Sequence, residues 1–405
     1  MVDILHFLGA AMLFVVCAQL GLLALASVRR YVHTARIQSL EVADFEERIA
    51  RTHVIRKSEE AHGAPWSGWR KFEVTQTVDE CGGVKSFYLR AHDQKPIPGF
   101  LPGQFLTFQL DIPGQQKKIV RCYSLSDCPR DDHYRVTIKR LPEGLVSGFF
   151  HDHVKEGSIL DIKAPSGGFF LDTNKETPVV LIGGGVGITP LLSMLNSVVE
   201  SKSPRKVWLF FGVRNSDEHI MKAHLDQIAR EYSQVELRVC YSQPLAADVL
   251  GRDYHHGERI SLKAIKAELG TSNYDFFICG SAPMMKTVID GLRDWGVPET
   301  KIRREAFGPA SVKKPAPTKG VSVVFARSDK KILWSGEEQS LLDLAEAQKI
   351  ATIDASGCHA GSCGTCKTAI KSGKVTYNQD PGADIEEGSC LTCICVPETD
   401  LVLDA

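Results

Sequence analysis

Apolar residues run without a formal charge over residues 4–28, interrupted among polar side chains by His6, Gln19 and Ser27. As a helix this stretch covers roughly 37 Å, enough to cross a bilayer once. Arg29 and Arg30 follow at once and Arg36 soon after, whereas the leading end carries Asp3. The positive-inside rule therefore expects a single-pass anchor in the inner (cytoplasmic) membrane, with everything after it in the cytoplasm. A cleaved signal peptide ending at Ala24-Leu25-Ala26 is the competing reading, but the basic leading region of such peptides is missing.

Beyond the anchor (1–29), residues 30–64 are charged and carry Leu40, Val42, Phe45 and Ile49 at roughly helical spacing, the pattern of an amphipathic helical linker. From 65 to 175 the pattern changes to short alternating runs, 71–74, 86–89, 105–110 and 134–138, separated by Gly and Pro turns, which predicts an antiparallel β-barrel. Residues 176–311 alternate continuous apolar runs (179–182, 207–212, 235–241, 275–279) with helical stretches over 191–200 and 216–232, the pattern of a parallel α/β domain. A Pro-rich basic linker at 312–319 precedes a third unit, 320–405, with an opening strand at 321–326 and a helix at 341–348.

Composition agrees with several folded domains: 405 residues, 43% hydrophobic and 24% charged. A net charge of −1 provides no overall field for a nucleic acid. Of 12 cysteines, Cys358, Cys363, Cys366, Cys390, Cys393 and Cys395 crowd near the C-terminal end, and such clustering points to metal rather than disulfides.

Arg121-Cys122-Tyr123-Ser124 offers a cation for a diphosphate, a ring to stack on a flavin and a hydroxyl for flavin N5. Pro102-Gly103-Gln104-Phe105 precedes it, and Lys139, Gly144-Leu145-Val146-Ser147 and Ala164-Pro165-Ser166-Gly167 follow. In that order these resemble the ferredoxin-NADP reductase superfamily, and the stretch over 146–172, with His151-Asp152-His153, is similar to the reductase portion of flavohaemoglobins. The resemblance implies FAD, held by Arg121, Tyr123, Ser124, Lys139, Val146 and Ser147, with its diphosphate at the helix start over 144–147.

Residues 179–192 read as strand, glycine turn (Gly183, Gly184, Gly185, Gly187) and helix, with Thr189 as N-cap and Pro190 at the first helical position. Glycines let the backbone approach a pyrophosphate at a helix N-terminus. Cys279-Gly280-Ser281-Ala282-Pro283 closes a later strand, and Glu305-Ala306-Phe307-Gly308 ends the domain. Both are similar to the same superfamily, which implies that Cys279 and Gly280 lie beside the nicotinamide and that Glu305 and Phe307 face the flavin. Catalytic roles are expected for Cys279, Glu305 and Ser124. Gln243, after Ser242, stands where an Arg would favour a 2′-phosphate, which leans towards NADH; Arg214 and Arg252 keep NADPH open.

Cys358-x4-Cys363-x2-Cys366 with a distant fourth cysteine is the plant-type spacing for a 2Fe-2S cluster. Cys390, Cys393 and Cys395 are candidates for the fourth ligand. The run from Leu391 to Pro397 resembles the ferredoxin ending in which Cys393 is the match, and this resemblance implies an α+β β-grasp domain. A zinc ribbon from Cys363, Cys366, Cys390 and Cys393 leaves Cys358 without a role.

In series, the modules expect an NAD(P)H-dependent iron-sulfur flavoreductase, similar in domain order to phthalate dioxygenase reductase. It would pass electrons to an oxygenase, desaturase or hydroxylase partner that is itself membrane-associated. A flavin suits this position because it accepts electrons in pairs and releases them singly. Two alternatives are an NADH:quinone or ferric reductase and a redox-sensing regulatory protein.

Overall fold

The computed structural model describes residues 49–57, 65–115, 118–307, 320–350, 364–378 and 385–405, with isolated positions elsewhere, among them Ile353, His359 and Gly361. Residues 49–57 are helical, within the stretch expected to be so. The chain divides into two compact units, Met1–His53 and Val54–Ala405. Among the described residues no helix is long and apolar enough to cross a membrane. The expected span at 4–28 falls almost wholly outside them, as do the linker at 312–319 and the expected ligands Cys358 and Cys363.

Six strands form the first sheet: β1 (Arg70–Cys81), β2 (Val84–Ala91), β3 (Phe105–Leu110), β4 (Ile119–Ser124), β5 (Tyr134–Lys139) and β6 (Ile159–Ser166). Their order is β4-β3-β6-β1-β2-β5, and a bridge from Leu125 to Val136 joins the two edges, so the sheet closes on itself. Closure follows from the alternation, since Phe72 and Val74, Phe87 and Leu89, Leu106 and Phe108, and Val136 and Ile138 all point to one interior. Helix α1 (Leu145–His153) plugs one end with Phe150, whose ring stands edge-on to Phe87, Phe108 and Tyr123.

The second sheet is parallel, ordered β11-β10-β7-β8-β9, from β7 (Val179–Gly184), β8 (Val207–Val213), β9 (Val235–Tyr241), β10 (Asp275–Gly280) and β11 (Ile302–Ala306). Its central runs are apolar on both faces because helices cover both: α2 (Ile188–Glu200), α3 (Lys222–Glu231), α4 (Leu262–Leu269) and α5 (Ala282–Asp294). The helical stretch expected over 216–232 is broken. Asn215 accepts a hydrogen bond from the Asp217 N–H and starts one short 3-10 turn; Met221 then takes φ 55°, and α3 begins afresh. The break carries His219 inward, where its Nδ1 meets the Tyr241 hydroxyl at 2.8 Å and burial lowers its pKa to about 4.

The last unit is α+β, as expected. Strands β12 (Ser322–Phe325), β13 (Lys330–Leu333), β14 (Lys367–Ser372), β16 (Ser389–Leu391) and β18 (Leu401–Leu403) pair in the order β13-β12-β18-β14-β16. Strands β15 (Val375–Tyr377) and β17 (Cys395–Pro397) form a separate pair. Helix α6 (Leu341–Ala347) is capped by Ser340, which accepts from the Asp343 N–H at 3.1 Å, and buries Leu341, Leu342 and Leu344.

Gly103 marks the tightest seam between the two larger layers. It has φ +108°, and a Cβ there would lie 2.4 Å from the Phe169 carbonyl oxygen and 2.5 Å from the Met194 methyl of α2. Gly103→Ala is expected to destabilise the protein by about 2–3 kcal/mol, read as a lowered urea midpoint.

Candidate functional site

The C-terminal ends of parallel strands leave a crevice where ligands of such sheets bind. Here the ends of β7 and β10 come unusually close. A Cβ on Gly187 would lie 2.4 Å from the Cys279 carbonyl oxygen, and one on Gly280 would lie 3.1 Å from the Gly184 nitrogen. Gly185 takes φ +55°, and Gly184 packs on the Met284 sulfur. The glycines are thus required for backbone approach, and the 13-residue α2 begins right behind them with a turn of N–H donors suited to a diphosphate. Thr189 is not the N-cap. The helix starts at Ile188 from Gly187, because a 3-10 turn over Gly185–Gly187 feeds directly into it; the Thr189 hydroxyl donates back to the Val186 carbonyl at 3.0 Å.

Cys279 and Glu305 are direct neighbours in the parallel register of β10 and β11. Across from them, at the end of β4, the Ser124 hydroxyl donates to Glu305 Oε2 at 3.3 Å. The structure therefore brings together all three residues expected to be catalytic, from two layers and from positions far apart in the chain. Burial pushes the Glu305 carboxyl up to about 8, with the Ser124 bond opposing the shift. Burial and then the neighbouring Glu305 raise the Cys279 thiol well above its usual range, so it is a neutral contact group and not a nucleophile. Phe307, just past β11, is 42% exposed, an aromatic face left open at the mouth of the site.

On the barrel side, Arg121 and Tyr123 lie two apart on β4. Arg121 Nη1 donates to the Val120 carbonyl at 2.7 Å, and the Tyr123 ring packs against Phe108 and Phe150. Gly144 is the N-cap of α1, and a Cβ there would lie 2.4 Å from Ser147 Oγ. That hydroxyl accepts from the Leu141 N–H at 3.1 Å and donates to the Gly144 carbonyl, so Ser147 shapes the turn, and Val146 is buried beneath it. Lys139 Nζ lies 3.9 Å from Glu218 of the α/β domain. A cavity of 580 Å³ opens beside this helix start, lined by Gly144, Leu145, Phe149, Pro113 and Arg140 among others. Free helix N–H groups at the edge of a cavity fit the diphosphate part of a dinucleotide. Arg140 directly follows Lys139 in the run over 136–140 that shares in the superfamily resemblance, whereas Pro113 belongs to no recognisable spacing.

After β8 and β9, Gln243 N–H donates to the Arg214 carbonyl at 2.8 Å, and the Arg214 guanidinium pairs with Glu218 at 2.6 Å. Arg252 pairs with Asp253 at 2.8 Å.

In the third unit the thiols of Cys366 and Cys393 stand 3.1 Å apart, 1% and 8% exposed. Cys390 and Cys395 are fully buried and hydrogen-bonded to each other. Thr392 Oγ1 donates to the Cys366 carbonyl at 3.1 Å, tying the two ligand turns together. A Cβ on Gly361, which has φ +68°, would lie 2.4 Å from the Ile394 methyl, so this glycine packs on the turn that carries Cys393. Two cysteine sulfurs brought together from separate turns suit half of the four-thiolate set an iron-sulfur cluster takes. Among the described residues no set of three His, Cys, Asp or Glu could hold a metal ion.

With this geometry in view, residues 71–171 match the oxidoreductase FAD-binding domain, 181–290 the oxidoreductase NAD-binding domain and 326–398 the 2Fe-2S iron-sulfur cluster binding domain. A flavohemoprotein of Bacillus thuringiensis subsp. konkukian is 39% identical over 251 residues, 61% of this chain and 62% of that protein. The chain thus spans less than two thirds of the length of such relatives. Among solved structures, the flavohem-like FAD/NAD binding domain of nitric oxide dioxygenase from Vibrio cholerae O1 biovar El Tor is 30% identical. It superposes with a TM-score of 0.53, over 60% of this chain and 100% of that one. Phthalate dioxygenase reductase, 23% identical, shares the fold over 84% of this chain and 98% of its own, with a TM-score of 0.55.

Two outcomes are expected. In flavin-free protein the unfolded Glu305 loses its proton near 4.5 while the folded one keeps it to about 8, so stability falls as pH rises through that window. Glu305→Gln should flatten this slope, seen as a smaller difference between urea midpoints at pH 5 and pH 8. Separately, Cys393→Ser should abolish the visible cluster spectrum, whereas Cys390→Ser should keep it; the reverse result would move the ligand role to Cys390.

Proposed function

The chain belongs to the FAD- and NAD-binding oxidoreductases that include the reductase part of flavohemoproteins, and from that premise we propose that it is the membrane-anchored reductase of an oxygenase, desaturase or hydroxylase system. It is an NAD(P)H-dependent oxidoreductase with FAD-binding, NAD-binding and 2Fe-2S domains. When bound, a flavin would supply the exchange of an electron pair for single electrons and a 2Fe-2S cluster would supply one-electron transfer. One observation carries the reading: Ser124 of the flavin layer meets Glu305 of the nicotinamide layer, itself the strand neighbour of Cys279, in one buried site, on a chain that goes on to a cysteine-lined third unit.

The residues divide the work. The glycine turn and the first turn of α2 hold the nicotinamide diphosphate, and the first turn of α1 with Arg121 holds that of the flavin. Glu305, protonated at neutral pH, and the Ser124 hydroxyl form a short relay able to hold or accept a proton beside the reacting ring. Cys279, neutral and fully buried, keeps the opposite face dry. NADH is the preferred donor, because Gln243 offers no charge to a 2′-phosphate and Glu218 already engages Arg214.

The membrane assignment rests on the apolar stretch at 4–28 and the arginines after it. Sharing a bilayer with the acceptor raises the effective concentration of both. The solved reductase of similar domain order is described as a modular structure for electron transfer from pyridine nucleotides to [2Fe-2S], which supports the same direction of flow here.

Purified full-length protein given NADH without oxygen should bleach its flavin band and then its cluster band, with kcat/KM at least tenfold higher than for NADPH. Reduction of cytochrome c should be lost in Cys393→Ser while flavin bleaching persists. The full chain, but not one lacking residues 1–28, should sediment with membranes. A flavin untouched by NADH would overturn the proposal, and brisk turnover with quinone alone would reassign the acceptor.

A further inference from the structure

We infer that Asn196 is a positioning residue for hydride transfer: with Asp127, Ser193 and His224 it fixes the distance between the flavin-bearing end of β4 and the helix that carries the nicotinamide turn. This rests on the nicotinamide-to-flavin half of the reading above and is independent of the acceptor.

Asp127 lies three residues beyond Ser124, on the segment leaving β4. Ser193 and Asn196 lie on α2, roughly two to two and a half turns after the glycine turn. The Ser193 hydroxyl donates to the Asp127 carbonyl at 2.7 Å, and Asn196 Nδ2 donates to Asp127 Oδ1 at 2.8 Å. His224 of α3 stands behind, its Nε2 2.9 Å from Asn196 Oδ1. Because the amide nitrogen is committed to the carboxylate, Asn196 Oδ1 must accept, so His224 Nε2 carries the proton. Arg135 and Arg130 approach the same carboxylate at 3.8 and 3.9 Å, and Arg130 also pairs with Glu200 at the end of α2 at 3.0 Å. Burial would raise the Asp127 carboxyl, but Arg135, the Asn196 amide and the Cys128 N–H outweigh it and keep it ionised.

Ser193 is fully buried and Asn196 is 7% exposed, on a helix whose neighbouring positions, Leu191, Leu192, Met194 and Leu195, are apolar. Apolar residues at 193 and 196 would cover the barrel as well, but they would let the two layers slide. Buried hydrogen bonds hold to a few tenths of an ångström, and breaking one leaves its partner desolvated. Hydride transfer needs reacting atoms about 3–3.5 Å apart, and a misplacement of about 1 Å can cost 10²-fold in rate. The Asp127 cluster and the Ser124–Glu305 bond are two ties, one on the segment leaving β4 and one at its end, so together they set both the separation and the tilt of the layers.

The test compares the FAD-loaded full chain with Asn196→Leu, Ser193→Ala and the double variant. Anaerobic stopped-flow bleaching at saturating NADH should slow at least tenfold in Asn196→Leu and about threefold in Ser193→Ala. The double variant should be no slower than Asn196→Leu, since both bonds serve one tie. Flavin content and the Kd for NAD⁺ should stay within twofold. Amide hydrogen exchange of the same proteins should rise at 124–128 and 188–197 while the central strands β7 and β10 stay protected. Unchanged bleaching, unchanged exchange, or a slowing that merely follows weaker NAD⁺ or FAD binding would each overturn the inference. If Asn196→Leu does not fold, Ser193→Ala decides by the same measures. Wild-type flavin that NADH fails to bleach would instead count against the proposed function.

Discussion

The hydrogen bond from Ser124 to the buried carboxyl of Glu305 is the constraint around which the two larger layers are arranged. Each layer has a core of its own, one inside the barrel and one on each face of the parallel sheet, and the core on one of those faces also takes in Val84 of β2. Apolar packing within a layer says little about where the other sits. Polar contacts between them do: Ser124 with Glu305, Asp127 with α2, and Lys139 with Glu218. A carboxyl in such a place is costly as an anion, and among the described residues no cation pairs with it, so it persists by keeping its proton near neutral pH. The same burial that threatens stability gives the group a proton to hold where redox chemistry needs one.

Much of this was legible in the chain. The continuous apolar run over 179–182 could only be a strand covered on both faces, and the glycines after it had to end in a helix. The cysteine spacing carried its own chemistry, because metal ligands leave a fixed interval that packing does not. What stayed hidden is where two local preferences compete. Thr189 looks like a helix cap, yet the glycines ahead of it already turn the chain, so the helix opens two residues sooner and the hydroxyl turns back on Val186. The stretch over 216–232 has helical periodicity, yet burying His219 against Tyr241 demands a break that periodicity cannot show. Asn196 and Asp127 carry no motif at all, since their partner is chosen by tertiary placement.

The cysteines of the third unit divide by partner and not by sequence neighbourhood. Cys390, Cys393 and Cys395 lie within six positions, but Cys393 turns towards Cys366 from a short 3-10 turn, while Cys390 and Cys395 sit on the flanking strands and face each other. Strand alternation around a single turn is enough to separate Cys393 from its two cysteine neighbours.

Phe150 gives the barrel a further property. It fills the interior from a helix whose opening turn is exposed to a cavity, so one short element is plug and, in the reading proposed above, also receptor. Any molecule that orders that turn also seats the plug, and by mass action the occupied form is the one that resists unravelling. Supply of the vitamin-derived prosthetic group and survival of the newly made polypeptide are thereby coupled, and scarcity of the first would be felt as shortened lifetime of the second.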